Sequence, residues 1–208
     1  MESKFIATPS GKFHAMIAGV GDPAILIHGS SVEHNSWRTW ERNIDALATV
    51  ARVYSLDLIG YGESDKPEPR LDARAEANAI IELLDAEGID RATLVGLSWG
   101  GGIAQIIATN APTRVSKLVL VDSRYSPKPE NLARLKSIAC PTLIVWDEED
   151  AVIPVAYAQA LGDAIPNSRV RVFKHDERDS DADPNNRHWS QVSHSREWNR
   201  VVKEFLLA

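Results

Sequence analysis

The sequence predicts an α/β protein with a mostly parallel central sheet and helices on both faces. Short apolar runs alternate with amphipathic helical patterns along the 208 residues, which is typical of such a sheet. A G-x-S-x-G motif occupies residues 96–100, directly after one apolar run and before a helical pattern. Polar clusters follow the apolar runs, where the carboxyl ends of parallel strands gather functional groups.

The apolar runs predict strands in order along the chain. The first two flank the turn Pro9-Ser10-Gly11 and form the start of a hairpin. The others are continuous apolar segments of the kind that is buried on both faces of a sheet. The predicted strands are residues 4–8, 12–18, 24–27, 52–58, 92–96, 117–122, 141–146 and 169–173.

Helical spacing of apolar residues predicts the elements between these strands. Trp37, Trp40, Ile44 and Leu47 are expected to form one core-facing stripe. The polar stretch 174–187 has no periodicity and is predicted to be a mobile loop. The predicted helices are residues 36–47, 72–87 with Gly88 as its C-terminal cap, one from about residue 100, then 130–137, 154–161 and 190–206.

Composition and charge exclude several classes of protein. The chain is 44% hydrophobic and 25% charged, as expected for one globular domain over residues 1–208. A net charge of -6 without a Lys/Arg cluster argues against a nucleic-acid partner or an anionic membrane surface. The first residues lack the apolar core of a signal peptide, and we expect a cytoplasmic protein without a membrane span. Cys140 is the single cysteine, and a buried structural role is expected for it.

Ser98 is the candidate nucleophile because of the turn that it occupies. A serine between a strand and a helix must adopt a strained backbone conformation, and glycine at Gly96 and Gly100 lets the flanking chains approach closely. The helix that follows presents backbone N–H groups to an oxyanion. A serine hydroxyl also requires a histidine as base and a carboxylate that orients the histidine.

Two candidates exist for each partner of Ser98. Asp150 and His188 follow the strands 141–146 and 169–173, in the chain order Ser, Asp, His that this architecture predicts. Asp122 also ends a strand, and His175 lies nearer to the last strand than His188 does. The neighbours Asp147, Glu148 and Glu149 are interpreted as a solvated acidic turn, and His194 as a surface or capping residue.

The chain resembles the α/β-hydrolase fold superfamily, and in detail the meta-cleavage product hydrolases and related carboxylesterases. The resemblance spans nearly the whole chain. The matching stretches are Leu26–Ser31, Ser36-Trp37 with Asn43–Leu47, Asp57–Pro67, Gly96–Gly101, Pro141–Trp146 with Asp150, and His188-Trp189 followed by Glu197–Val202 and Phe205-Leu206.

This resemblance implies roles for particular residues. Ser98 is the implied nucleophile, Asp150 the acid and His188 the base. The implied oxyanion hole consists of the backbone N–H groups of Trp99 and Ser30, with Ser31 as the near alternative, and His28 supports that loop. No metal or organic cofactor is implied.

Two departures from the family pattern stand out. The family normally inserts a helical cap of several tens of residues before the strand at 141–146, whereas only residues 123–140 intervene here. We therefore expect an open cleft, which a partner subunit in a homodimer would be able to cover. The acidic insertion 175–187 precedes His188 where the family has a short turn, and either a substitute lid or a less constrained His188 is expected.

The predicted function is a serine carboxylesterase that acts on small or short-chain esters. The runner-up is a carbon–carbon bond hydrolase of meta-cleavage-product type, which the absence of the cap disfavours. A non-catalytic protein that binds a small molecule is the third hypothesis, and the intact set of Ser98, Asp150 and His188 disfavours it.

Overall fold

The fold is built on one eight-stranded sheet. The structure is a computed structural model that describes residues 1–31, 34–124, 126 and 128–208. Strand order across the sheet is β1-β2-β4-β3-β5-β6-β7-β8, with β1–β2 and β2–β4 antiparallel and all other pairs parallel. The strands are β1 Glu2–Thr8, β2 Gly11–Ala18, β3 Pro23–Ile27, β4 Arg52–Asp57, β5 Ala92–Leu97, β6 Val115–Val121, β7 Thr142–Asp147 and β8 Ser168–Phe173.

Helices cover both faces of this sheet. Along β3, Ile25 and Ile27 belong to one apolar cluster, whereas Ala24 and Leu26 belong to the other, because successive side chains of a strand point to opposite faces. The helices are α1 Ser36–Trp40, α2 Ile44–Leu47, α3 Ala73–Ala86, α4 Trp99–Asn110, α5 Pro129–Leu135, α6 Ala156–Ala164, α7 Ser190–Ser193 and α8 Ser195–Leu207, with short 3-10 turns at Pro112–Arg114 and His175–Glu177.

The strands that the sequence predicts are all present, with ends shifted by one or two residues. Local signals explain the boundaries of α3, since the Asp72 side chain accepts hydrogen bonds from the backbone N–H groups of Arg74 and Ala75. Gly88 follows this helix with a φ of 66°, a conformation that favours glycine. The predicted α/β architecture is therefore confirmed.

Two segments that the sequence predicts as single helices each form two helices. The helix predicted over 36–47 is two short helices, α1 and α2, and Trp37 is 48% exposed, so it is not part of the predicted core-facing stripe. The helix predicted over 190–206 is interrupted at His194. His194 is fully buried against the Phe173 ring, so its interpretation as a surface residue is wrong, whereas the capping alternative is confirmed because His194 ends α7 and precedes α8.

The segment between β6 and β7 is short. Its described residues contain one helix, α5. The family resemblance predicts a helical cap at this place, and the sequence here is too short for one. No helix in the described parts of the chain combines the length and the apolar character that crossing a bilayer requires.

Candidate functional site

Ser98 lies on a sharp turn between β5 and α4. Its φ of 52° and ψ of -115° are strained for a residue with a side chain. Glycine makes the turn possible, since a Cβ on Gly96 would lie 2.5 Å from the Gly100 carbonyl oxygen, and one on Gly100 2.4 Å from the Ile27 carbonyl oxygen. The backbone of Ser98 accepts a hydrogen bond from Arg124 N at 2.9 Å and donates one to Val121 O at 2.9 Å. The strain is therefore held in place by the neighbouring strand.

Two backbone amides beside Ser98 have no acceptor in the described part of the chain. The N–H groups of Ser30 and Trp99 donate to none of the described residues, and both residues line the same cleft as Ser98. Gly29 brings the Ser30 loop close, because a Cβ at Gly29 would lie 3.4 Å from the Ser98 Cβ. Unpartnered amides at such a turn are suited to stabilise an oxyanion.

His28 supports the loop that carries Ser30. Its Nδ1 donates to Gly29 O at 2.7 Å, and its Nε2 accepts from Leu58 N at 3.0 Å. Burial lowers the pKa of His28 to about 4, so the ring is neutral and can accept that hydrogen bond. The Tyr61 hydroxyl donates to Ser30 O at 3.2 Å. The placement of His28 agrees with a structural role.

Asp150 and His188 form a hydrogen-bonded pair. The Nδ1 of His188 lies 2.9 Å and 3.1 Å from the two carboxylate oxygens of Asp150, and the Asp150 side chain is fully buried. A carboxylate can only accept, so Nδ1 carries the proton and Nε2 is left as the basic nitrogen. The Oδ1 of Asp150 also accepts from the backbone of Val152 and Ile153, both of which line the Ser98 cleft.

No hydrogen bond joins the side chains of Ser98 and His188 in the structure. Ser98 Oγ makes no hydrogen bond with any residue in the described part of the chain. The His188 segment nevertheless reaches the serine loop, because the Trp189 ring packs on His34 at 4.7 Å and the His34 ring contacts Gly29.

Asp122, the competing acid, lies in the same region with a different set of contacts. Its carboxylate accepts from Asp147 N at 2.9 Å and from Ser190 N at 2.8 Å, so it connects the chain before Asp150 to the chain after His188. Burial and the charge of Asp150 raise the pKa of Asp122 to about 7. No hydrogen bond joins it to His188 among the described residues.

The charges around His188 favour its protonated form. Burial alone would lower the pKa of His188, but the hydrogen bond with Asp150 and the charges of Asp122 and Asp150 outweigh burial and raise it above the usual value. This environment stabilises the imidazolium that forms when His188 accepts a proton.

His175, the competing base, lies elsewhere. Its side chain is 68% exposed, and its Nδ1 is 3.0 Å from Glu149 Oε2. Asp147, interpreted from sequence as part of a solvated turn, is fully buried, and that interpretation is wrong. Asp147 can be buried because a cationic side chain of the loop 174–187 pairs with its carboxylate.

That cation is Arg178, which organises the loop 174–187. Its Nη1 donates to Asp147 Oδ2 at 3.0 Å, and its Nη2 donates to Asp183 O at 3.1 Å and Asn186 O at 2.6 Å. The Asn186 side chain in turn accepts from the backbone N–H groups of His188 and Trp189. The loop is therefore tied down beside His188, in contrast to the mobile loop that its composition predicts.

The cleft at Ser98 has a volume of about 370 Å³. It is lined by Ser30, Ser98, Trp99, Arg124, Val152, Ile153, Pro154 and Tyr157. Sequence reasoning missed Arg124, His34 and Arg178. Only the position of Arg124, two residues after the strand end at Asp122, was a local signal that would have pointed to a role at this edge of the sheet.

Comparison with known proteins identifies the family. Residues 22–138 match the family model described as alpha/beta hydrolase fold, and the chain belongs to that family. The 2-hydroxy-6-oxononadienedioate/2-hydroxy-6-oxononatrienedioate hydrolase of Cupriavidus pinatubonensis is 25% identical over 287 aligned positions, which cover 98% of this chain and 95% of that one. Because this chain has only 208 residues, that relative has residues without a counterpart here.

Two further relatives belong to the same group. The 2-hydroxymuconate semialdehyde hydrolase of Pseudomonas sp. strain CF600 is 25% identical over 91% of this chain and 88% of its own. The structure of the meta-cleavage product hydrolase from Pseudomonas fluorescens IP01 superimposes with a TM-score of 0.86 at 24% identity, covering 97% of this chain and 96% of that one. The predicted resemblance to meta-cleavage product hydrolases is thus confirmed.

Proposed function

We propose that the protein is a serine hydrolase that cleaves small or short-chain carboxylic esters through an acyl-enzyme. The observation that supports the proposal is the strained turn of Ser98 in an open cleft, beside two amides that have no acceptor among the described residues. The Asp150–His188 pair borders this cleft through Val152 and Ile153. The fold and the relatives support a hydrolase in general, and the specificity for esters is our proposal.

The proposed mechanism begins with proton transfer from Ser98 Oγ to His188 Nε2 while Oγ attacks the ester carbonyl. Asp150 holds the ring through Nδ1 and stabilises the imidazolium. The N–H groups of Ser30 and Trp99 receive the oxyanion, and each donor contributes about 3 kcal/mol. His188 then returns the proton to the leaving alcohol, and one water repeats the cycle to release the acid.

Ester hydrolysis by matched variants tests this proposal. The wild type, Ser98→Ala and the control Ser137→Ala, an exposed serine on the α5 side, are assayed with 4-nitrophenyl acetate, butyrate and octanoate. We expect Ser98→Ala to lose about 10⁴-fold or more in kcat, because the nucleophile is gone. Ser137→Ala is expected to retain the wild-type rate. Equal rates for wild type and Ser98→Ala would overturn the proposal.

A second candidate function is hydrolysis of a carbon–carbon bond. The names of the relatives favour it, since both of the relatives compared by sequence are hydrolases of 2-hydroxy-6-oxo or 2-hydroxymuconate compounds. In that reaction a dienol ketonises to a vinylogous 1,5-diketone, and water then cleaves a C–C bond. The hydroxyl group of the water becomes part of the acid, and its hydrogen goes to the carbon of the other fragment. The short segment 123–140 disfavours it because such a substrate requires a closed, shaped pocket.

The same proteins decide between the two functions. Turnover of 2-hydroxymuconate semialdehyde is followed by loss of its visible absorbance, beside the ester assays. We expect kcat/KM for the best ester to exceed that for the semialdehyde. The reverse order, with dependence on Ser98, would assign the protein to carbon–carbon hydrolysis.

A further inference from the structure

A second cavity adjoins the Ser98 cleft on the α4–α5 side. It has a volume of about 240 Å³ and shares two lining residues, Trp99 and Arg124, with the cleft. Ile106 and Leu135 contribute an apolar surface, whereas Gln105 and Arg134 contribute polar groups. A ligand whose reactive carbonyl lies at Ser98 can therefore extend past Trp99 into this second space.

Arg124 is held at the junction of the two spaces. Its backbone N–H donates to Ser98 O at 2.9 Å, and its carbonyl accepts from Gln105 Nε2 at 2.9 Å. The side chain runs over the first turn of α4, since a Cβ at Gly102 would lie 3.6 Å from Arg124 Cβ and 3.9 Å from its Cδ. The Arg124 backbone is thus fixed beside Ser98, and its exposed side chain begins at the junction of the two spaces.

The Arg124 guanidinium has no counter-charge among the residues that the structure describes. It makes no ion pair or hydrogen bond with any residue that the structure describes, although the chain carries 29 acidic and 23 basic side chains. Near the base, in contrast, Arg178 pairs with Asp147 and Arg187 lies 3.9 Å from Glu149. Across the cavity, Arg134 donates at 3.3 Å to the neutral side chain of Asn110.

An apolar cavity lined by two arginines, neither of which has a carboxylate partner among the described residues, has a definite ligand chemistry. The guanidinium group presents paired N–H donors that match a carboxylate. We propose that this cavity binds a carboxylate carried on the substrate, several bonds away from the scissile ester. The inference rests on the proposed ester hydrolysis and specifies its substrate class, esters with a distal carboxylate.

The test compares charged and neutral members of matched ester pairs. On the acyl side, 4-nitrophenyl hydrogen adipate and 4-nitrophenyl hydrogen suberate are each compared with the derivative whose distal carboxylate is a methyl ester. The spacers are long enough to slow intramolecular attack by the carboxylate. On the alcohol side the pair is 4-carboxyphenyl butanoate against its methyl ester. For each pair the ratio of kcat/KM, charged over neutral, is measured.

We expect a wild-type ratio of about 10 to 100 for at least one pair, from one charge-assisted contact. Arg124→Gln should bring that ratio to about one, and Arg124→Lys should retain part of it because the charge remains. The control Arg91→Gln removes the same charge from the amino end of β5, at the opposite edge of the sheet, and should keep the wild-type ratio. A wild-type ratio of one or less overturns the inference, as does an unchanged ratio in Arg124→Gln.

Binding to an inactive protein separates this inference from the proposed function. Monomethyl adipate is titrated calorimetrically into Ser98→Ala and into Ser98→Ala with Arg124→Gln. We expect the second substitution to weaken binding at least about 10-fold. Equal affinities would overturn the carboxylate subsite even if esters are hydrolysed, and a 10-fold loss would support it even if the ester function fails.

Discussion

Two walls flank the open cleft at Ser98, and they are built differently. The base wall, residues 147–153 and 174–194, is joined by buried carboxylates that each have several donors, such as Asp147 and Asp122. The recognition wall, residues 123–140, has few polar contacts among its described residues, for example Asn131 Nδ2 to Ser126 Oγ at 2.8 Å. Proton transfer depends on precise placement, whereas recognition by a charged arginine tolerates variation. The difference teaches that polar bonding is concentrated where the proposed chemistry requires fixed geometry.

The largest expected effect lies at the base itself. His188→Ala removes the group that would accept the Ser98 proton, and we expect kcat for the best ester to fall about 10⁴-fold. His175→Ala, an exposed histidine of the same loop, is the matched control and should stay within about twofold of the wild type, as surface substitutions usually do. If His175→Ala is the more damaging of the two, the base is assigned to the wrong histidine.

The next effect concerns the connection that holds the base wall together. Arg178→Gln leaves the fully buried Asp147 carboxylate without its cation, which should destabilise the fold by about 3–5 kcal/mol. It also releases the 183–186 turn that binds the His188 backbone, and a displacement of about 1 Å there lowers kcat by about 10²-fold. Urea unfolding and ester kinetics measure the two effects.

Arg196→Gln is the matched control for this wall. The Arg196 side chain is 76% exposed and lies 3.8 Å from Asp179, so little change is expected in stability or kcat. Added guanidinium ion should partly restore kcat in Arg178→Ala, because that variant leaves the position of the guanidinium group open. Full activity of folded Arg178→Gln would show that the loop does not position His188.

A third prediction tests buried carboxylates outside the base wall. Glu76 in α3 is fully buried, and neither carboxyl oxygen has a hydrogen-bond partner among the described residues. Burial raises the pKa of Glu76 from 4.5 to about 8. The folded state therefore holds a proton that the unfolded state releases, so stability is lost as pH rises from about 4.5 to about 8.

Glu76→Gln removes this titration. We expect the variant to be about 2–4 kcal/mol more stable than the wild type at pH 9, with the difference shrinking toward pH 5. Glu130→Gln, an exposed glutamate of α5, should show no such pH dependence. A difference between Glu76→Gln and wild type that is the same at both pH values would mean that Glu76 ionises normally in the folded protein.

The parts of the site that could be predicted from sequence are those with a local signal. The turn at Ser98 needs glycine on both sides, and the spacing Gly96 to Gly100 carries that requirement within five residues. The preference for Asp150 and His188 came from the resemblance, and the structure brings these two side chains together. Their roles in the reaction remain a prediction that the His188 and Ser98 variants test.

The parts that could not be predicted depend on contacts between distant residues. Arg178 and Asp147 are 31 positions apart, and Asp122 and Ser190 are 68 positions apart. Each residue alone looks like an ordinary loop charge or strand end. The loop 174–187 therefore looked mobile, and Asp147 and His194 looked exposed, although the fold buries both.

The sequence by itself determined the alternation of strands and helices, the class of fold and the turn that carries Ser98, because periodicity and glycine spacing act over a few neighbouring residues. Only the tertiary structure decided which side chains are buried at the carboxyl edge of the sheet, which loop is braced and which arginine has no partner among the described residues. The physical reason is that burial and charge pairing are properties of the assembled surface, where residues far apart in sequence compete for the same partners.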